Sequence, residues 1–295
     1  MSAGFKILNG ICLYKNERQV KKLYKSNKFC DILEINKGIT AIIGSGGKTS
    51  LMMRLAEELC ERGRTVICTT THIMRPEGIP VVETEEELEK ALRQQDESRR
   101  KTPGQKDGHM SEQCIRPFPV CIGSPAEDPV KLSVSEIPFD RLVQTAEYVI
   151  AEADGARRMP LKCHAAHEPV IPENADKVIL VIGLSGIGKK VREAVHRPEI
   201  FEKYTGLGPE DTVTAAAAAK AIAAEAGKTM GAAADTQGSS RKLAIFINQA
   251  DSEEDMTEAV ALGKELQNAF EAEGRTSGIR IYAGSVKNGR IRLTE

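Results

Sequence analysis

The sequence predicts an α/β fold, a mainly parallel sheet with helices on both faces, P-loop NTPase-like. Three observations carry this. Short apolar runs recur along the chain, with helical stretches between several of them. The first run leads into a glycine-rich turn carrying Lys48-Thr49. A strongly periodic helix follows that turn. Parallel strands are buried on both faces and read as continuous apolar runs, and helices are what cover them.

The elements follow in order. Residues 1–30 are Lys-rich and weakly patterned and read as an N-terminal extension, with residues 31–295 as a single domain. Ile39–Ile43 is a buried strand. After the turn, Leu51, Leu55 and Leu59 recur on one helix face beside Met52, Ala56 and Cys60, and Gly63 stops the helix. Thr65–Cys68 is the next strand. Thr84 and Glu87 form a capping-box pattern ahead of a short helix with Leu88, Ala91 and Leu92 inward. Gln94–Glu112 is almost wholly polar and reads as a loop or disordered stretch, within an insertion over residues 94–116. Strands recur at Pro119–Ile122, Tyr148–Ala151, Val178–Ile182, Leu243–Ile247 and Ile279–Ala283. An Ala-rich helix spans Thr214–Ala226, a flexible loop Gly227–Arg241, and an amphipathic helix Met256–Phe270.

Composition narrows the function classes. With 41 basic and 42 acidic side chains the net charge is −1, so no single-sign field invites nucleic acid or a membrane surface. Aromatics are 4% and Trp is absent, which disfavours a base-stacking platform. The seven cysteines are odd in number and form no C-x-x-C pair, which fits a reducing cytoplasm. No apolar run approaches the roughly 18 residues of a membrane span. The apolar stretch near the N-terminus is interrupted too soon for a signal peptide.

Gly44-Ser45-Gly46-Gly47-Lys48-Thr49-Ser50 is a phosphate-binding arrangement. Glycines let backbone N–H groups point inward, the helix N-terminus adds positive potential, Lys48 reaches β- and γ-phosphates, and Thr49 can ligate Mg²⁺. The usual Walker spacing needs glycine at position 42, where this chain has Ile42. The shortened loop resembles the G-T-x-G-K-T turn of ATP-dependent Mur-type ligases. Gly183-Leu184-Ser185-Gly186-Ile187-Gly188-Lys189 fits the Walker spacing better, but Lys190 stands where a hydroxyl should hold the metal. Val191–His196 then meets Pro198 too early for a proper helix, so this loop takes a lesser role.

Strand Tyr148–Ala151 ends in Glu152-Ala153-Asp154-Gly155. A carboxylate there suits a Walker-B acid, so Glu152 and Asp154 are candidate catalytic residues, with Thr49 and Asp154 as Mg²⁺ ligands. Arg157, Arg158 and Lys162 are candidates to face phosphates or an anionic substrate. Thr69-Thr70-Thr71-His72 follows a strand on the side where open parallel sheets bind ligands, which makes Thr70, Thr71 and His72 further candidates. His164 and His167 are three apart, yet Pro169 and Pro172 make the segment extended, so loop shaping outweighs a metal pair. Cys163 is a thiol to watch beside these charges. Asn248-Gln249-Ala250-Asp251 resembles the N-K-x-D sequence of GTP-binding proteins, with Gln249 in place of the lysine. Asn248 and Asp251 would therefore meet a purine base, GTP favoured over ATP.

Several of these motifs together resemble one family. They are Ile43 to Ser50, Thr69 to His72, Ala153-Asp154-Gly155-Ala156-Arg157-Arg158 through Pro160-Leu161-Lys162, His167-Glu168-Pro169 with Ile171-Pro172, and His196-Arg197-Pro198-Glu199. Their order and identity are similar to the YqeC-type accessory proteins of selenium-dependent molybdenum hydroxylases, over roughly residues 30–290. The resemblance implies a maturation factor whose partners are a molybdenum hydroxylase or its cofactor-maturation proteins. Cys163-His164 departs from the small residue and proline expected there. The expected function is a nucleotide-binding accessory factor using Mg²⁺ and a purine nucleotide. The alternatives are a Mur-type ligase-like enzyme and a non-enzymatic scaffold for a hydroxylase.

Overall fold

Apolar runs too short to make helices become the strands of one large sheet. The computed structural model describes residues 6–8, 11–13, 27–101, 116–231, 242–275 and 278–294. Its main sheet comprises β1 (Gly38–Gly44), β2 (Thr65–Thr69), β3 (Val81–Val82), β4 (Val120–Ile122), β5 (Tyr148–Glu152), β6 (Ala175–Gly183), β7 (Lys242–Asn248), β8 (Arg280–Ser285) and β9 (Arg290–Leu293). The spatial order is β9-β8-β7-β6-β1-β5-β2-β4-β3. Every pairing is parallel except β8 with β9 at one edge. The strand that feeds the glycine-rich turn is thus held between β5 and β6.

Eight helices cover the described chain: α1 (Phe29–Ile32), α2 (Lys48–Cys60), α3 (Glu85–Lys101), α4 (Phe139–Thr145), α5 (Val191–Ala194), α6 (Pro198–Thr205), α7 (Ala215–Gly231) and α8 (Glu253–Ala272). Alternate strand residues separate two cores, as the two-residue period of a strand requires. Ile42, Ile67, Ile150, Ile179 and Phe246 pack with α1 and α2. Ala41, Val66, Val149, Leu180 and Ile245 pack with α3, α4, α6, α7 and α8. The expected α/β sheet with helices on both faces is therefore present.

Three boundaries differ from the sequence reading. Phe29 and Cys30, placed in the extension, are buried, and Phe29 packs edge-on against Phe246 with ring centroids 5.9 Å apart. The stretch from Gln94 to Lys101, read as loop, continues α3. One of its polar residues meets a strand end: Gln95 is fully buried, accepts from Thr65 N at 2.9 Å and donates to Phe118 O at 2.7 Å. Glu85–Glu87 in the first turn and Arg99–Lys101 in the last suit the helix dipole. Residues 102–115 of the insertion lie outside the described residues. The Ala-rich helix runs on to Gly231, which removes the first part of the expected loop, and residues 232–241 lie outside the described residues. Among the described residues no helix is long and apolar enough to cross a membrane.

Candidate functional site

The turn Gly44–Thr49 sits at the C-terminal edge of β1. Gly46 has φ +77°, and a Cβ there would lie 2.3 Å from the backbone of Gly183. Gly47 has φ +119°, and its Cβ would lie 2.3 Å from Asn248 Nδ2. Both positions therefore need glycine for conformation and for space. Gly44 N donates to Asp154 Oδ2 at 2.9 Å, and Ser45 N donates to Val181 O at 2.8 Å. Beyond them the amides change character. Those of Gly46, Gly47, Lys48, Thr49 and Ser50 have no protein acceptor among the described residues. They are the uncapped donors that open α2.

Two carboxylates meet this turn, in different settings. Thr49 Oγ1 donates to Glu152 Oε2 at 2.7 Å, and Glu152 lines the cavity in front of the turn. Burial raises the Glu152 carboxyl above its ordinary range, against the opposing pull of Lys48 and Thr49. Asp154 is fully buried behind the turn. Its Oδ1 is 3.1 Å from Lys48 Nζ, and its Oδ2 is 3.2 Å from Lys162 Nζ and 2.6 Å from His164 Nε2. Burial opposes its ionisation, but the His164 hydrogen bond and the two lysine charges prevail and hold it well below the usual carboxylate range. Asp154, expected with Thr49 as a Mg²⁺ ligand, is thus held among protein cations, and the Thr49 hydroxyl is bonded to Glu152.

Sequence reasoning missed the rest of this buried chain. His164 Nδ1 lies 2.6 Å from Glu225 Oε2, and Tyr204 Oη donates to Glu225 Oε1 at 2.9 Å. Burial works against protonation of His164, but its hydrogen bonds to Asp154 and Glu225 outweigh it and raise its pKa. Lys162 also differs from expectation. Its side chain is fully buried, donates to Gly155 O at 2.5 Å, and pairs with Glu168 Oε2 at 3.2 Å, so it faces no ligand space. Glu168 pairs in turn with Arg197 at 2.7 Å. His167 is exposed, and no metal-binding cluster occurs among the described residues. Cys163 is buried in the core.

The cavity has a volume of about 1230 Å³. Gly46–Ser50 and Glu152 form its floor, His72 and Lys131 stand on one wall, and Arg157 and Arg158 on another. Both arginines are exposed, have left-handed φ of +47° and +62°, and have no anionic partner among the described residues. His72 and Lys131 belong to the antiparallel strands His72–Met74 and Lys131–Ser133, which pair with each other and with Ser124–Pro125 along this cavity. Thr70 and Thr71 do not line it, although both hydroxyls are buried with no partner among the described residues. Asn248 Nδ2 donates to Gly46 O at 2.9 Å and Asn248 Oδ1 accepts from Val286 N at 3.0 Å, so it ties the turn to the end of β8. Asp251 Oδ1 accepts from Ser285 Oγ at 2.5 Å. Neither lines the cavity, whereas Gln249, held at φ +72°, does.

Fold and site together define a class: a parallel α/β protein with a glycine-rich strand–helix turn opening into a cavity lined by both cationic and acidic side chains. Within that class the chain belongs to the YqeC family, whose model, described as YqeC protein, matches residues 40–199. The uncharacterized protein YqeC of Escherichia coli (strain K12) is 36% identical over 181 residues. That match covers 59% of this chain and 63% of the relative, so the chain spans less than two thirds of that relative's length. No solved structure matches. The glycine-rich turn, Glu152, Asp154, Lys162, His164 and His196 fall within the family match; Glu225, Asn248 and Asp251 lie beyond it.

Proposed function

We propose that the chain binds a purine nucleoside triphosphate with Mg²⁺ at Gly44–Ser50, as a P-loop NTPase-like factor. In this reading it acts in the maturation of selenium-dependent molybdenum hydroxylases. One observation carries the binding site: five consecutive backbone donors without protein acceptors, with Lys48 at their centre, face a cavity. Such a nest suits the oxygens of β- and γ-phosphates. Lys48 Nζ rests 2.8 Å from Gly44 O and 3.1 Å from Asp154 Oδ1 and would turn toward phosphate oxygens. Thr49 and Glu152 are hard oxygen donors side by side at the floor, and would hold the ion. Bound Mg²⁺ would neutralise charge on the phosphate oxygens. Glu152 faces the cavity, where its second oxygen would orient a water or an acceptor hydroxyl, while Asp154 and His164 anchor the turn from behind. Hydrolysis, phosphoryl transfer or nucleotidyl transfer are the reactions such a site supports.

In this reading the purine reaches the turn from Asn248 to Asp251 past Gln249, which lines the cavity, guanine favoured over adenine, and Asp251 would exchange its Ser285 bond for the base. A second reading, a ligase-like enzyme that joins two substrates, draws on the cavity, which exceeds the roughly 300–1,000 Å³ of an ordinary small-ligand site. Mass spectrometry of small molecules retained by the natively purified protein tests the proposal. A guanosine nucleotide with magnesium is expected. An adenosine nucleotide would remove the base assignment, and no retained or added nucleotide binding would remove the function.

A further inference from the structure

A second, smaller cavity of about 330 Å³ opens beside the first, and Arg157 and Met159 line both. Its other walls include Arg192, Val195, His196 and Arg197. The charges around it do not cancel. Arg192 is paired with Glu210, Arg197 with Glu168, and Lys162 with both Glu168 and Asp154, which leaves Arg157 as the cation without a carboxylate among the described residues. Glu199 is the one carboxylate on the lining. Arg157 adds a guanidinium with no anionic partner among the described residues. His196 Nδ1 is buried with no hydrogen-bond partner among the described residues. Its surroundings disfavour a proton: burial first, then the positive charges of Lys162, Arg197 and Arg157, push the imidazole below its ordinary pKa.

A buried polar nitrogen without a partner, beside an uncompensated planar guanidinium, is an arrangement that an oxyanion would satisfy. Arg forks match the geometry of phosphate and carboxylate, and His196 can donate once protonated beside an anion. The left-handed backbone at Arg157 and Arg158 is a strained conformation of the kind retained at ligand sites. The volume admits one charged end of a small molecule rather than a nucleotide.

We propose that Arg157, His196 and Arg197 form a subsite for the oxyanion group of a second, anionic ligand, seated beside the phosphate-turn cavity with Arg157 shared between the two. This assigns a role to His196-Arg197-Pro198-Glu199, and it goes beyond the nucleotide reading, since the subsite does not use Gly44–Ser50. A nucleotide in the larger cavity and this ligand in the smaller would lie on either side of Arg157.

Calorimetric titration of inorganic phosphate into full-length Lys48→Ala protein reads the subsite alone, because the phosphate turn is disabled. Saturable binding is expected, weakened about tenfold or more when Arg157→Ala or His196→Gln is added, as loss of one charge-assisted contact implies. Malonate, titrated in parallel, distinguishes a carboxylate ligand from a phosphate one; binding of either anion, lost in both double variants, supports the subsite. If Lys48→Ala fails to fold, the His196 ring signals of the wild-type protein are followed by NMR, and phosphate should raise the pKa of that imidazole. No binding of either anion, or binding and ring signals indifferent to both substitutions, overturns the proposal. Failure of nucleotide binding alone leaves it standing.

Discussion

The turns Gly44–Thr49 and Gly183–Lys190 follow adjacent parallel strands, β1 and β6, yet their backbones are used in opposite ways. In the second turn most of the amides, those of Gly183, Ser185, Ile187, Gly188 and Lys189, are spent on the protein. Gly183 N donates to Pro160 O at 2.8 Å, Gly188 N to Val213 O at 2.9 Å and Val191 N to Asp211 O at 2.9 Å. Ser185 Oγ is tied to Gln249 Oε1 at 2.7 Å, and Lys190 is paired with Glu210. A 3-10 turn, Leu184–Gly186, and the four-residue α5 follow, with no long helix. In the first turn the donors from Gly46 to Ser50 are left open at the head of the 13-residue α2. The better match to the Walker spacing thus leaves fewer backbone donors open. Spacing counts glycines, but anion binding depends on whether N–H groups are already satisfied and whether a helix stands behind them.

The two turns also touch, and this contact gives the largest expected effect. Gly46→Ala places a Cβ 2.3 Å from the Gly183 backbone at φ +77°, so it should cost about 2–4 kcal/mol by denaturant unfolding. Gly188→Ala adopts a similar φ of +80° but meets nothing within 4 Å. It should lose only about 1–2 kcal/mol, the left-handed penalty alone. Equal losses in the two variants would mean that the contact between the turns does not shape the first one.

Glu152→Gln keeps the shape of the floor and removes its charge. Nucleotide affinity should fall about tenfold with Mg²⁺ present and change little in EDTA. Asp154 offers the contrast: Asp154→Asn should act on stability even without nucleotide, because it strands Lys48, Lys162 and His164. A Glu152→Gln protein with unaltered Mg²⁺ dependence would return the metal role to another residue.

The smallest effect is a pH dependence behind the first turn. The folded pKa of His164 is raised, so its contribution is complete below the unfolded value of about 6.5 and is lost as pH rises through the folded value. The stability advantage of wild type over His164→Gln should therefore shrink as pH rises above about 6.5 in urea unfolding. Asp154 has the opposite sign, its contribution being lost as pH falls below about 3.9. An advantage that grows with pH would contradict the Asp154–His164–Glu225 chain.

Elements and the glycine-rich turn were legible because they are local. Ile39–Ile43 and the Leu51, Leu55, Leu59 row read directly as strand and helix face, and Thr84–Glu87 as a cap, with Glu87 N bonding Thr84 Oγ1 at 3.3 Å. What escaped is what depends on distant partners. Lys162 reads as a surface cation until Asp154 and Glu168 are folded around it. Glu225 sits 61 residues from His164. Its one local signal was a lone carboxylate on the buried face of an Ala-rich helix, beside Ala221 and Ile222. Asp154 and Glu152, two residues apart, were not separable by sequence; only the placement of Lys48, His164 and Thr49 assigns one behind the turn and the other to its front.

The central claim is that Gly44–Ser50 holds nucleotide phosphates while Gly183–Lys190 does not. Isothermal titration of Mg²⁺·GTP and Mg²⁺·ATP into wild type, Lys48→Ala and Lys189→Ala measures it directly. Affinity for the preferred nucleotide should fall about 100-fold in Lys48→Ala, the loss of a charged contact to phosphate, and stay within about twofold in Lys189→Ala. Equal affinity of wild type and Lys48→Ala, or a loss confined to Lys189→Ala, would contradict the account.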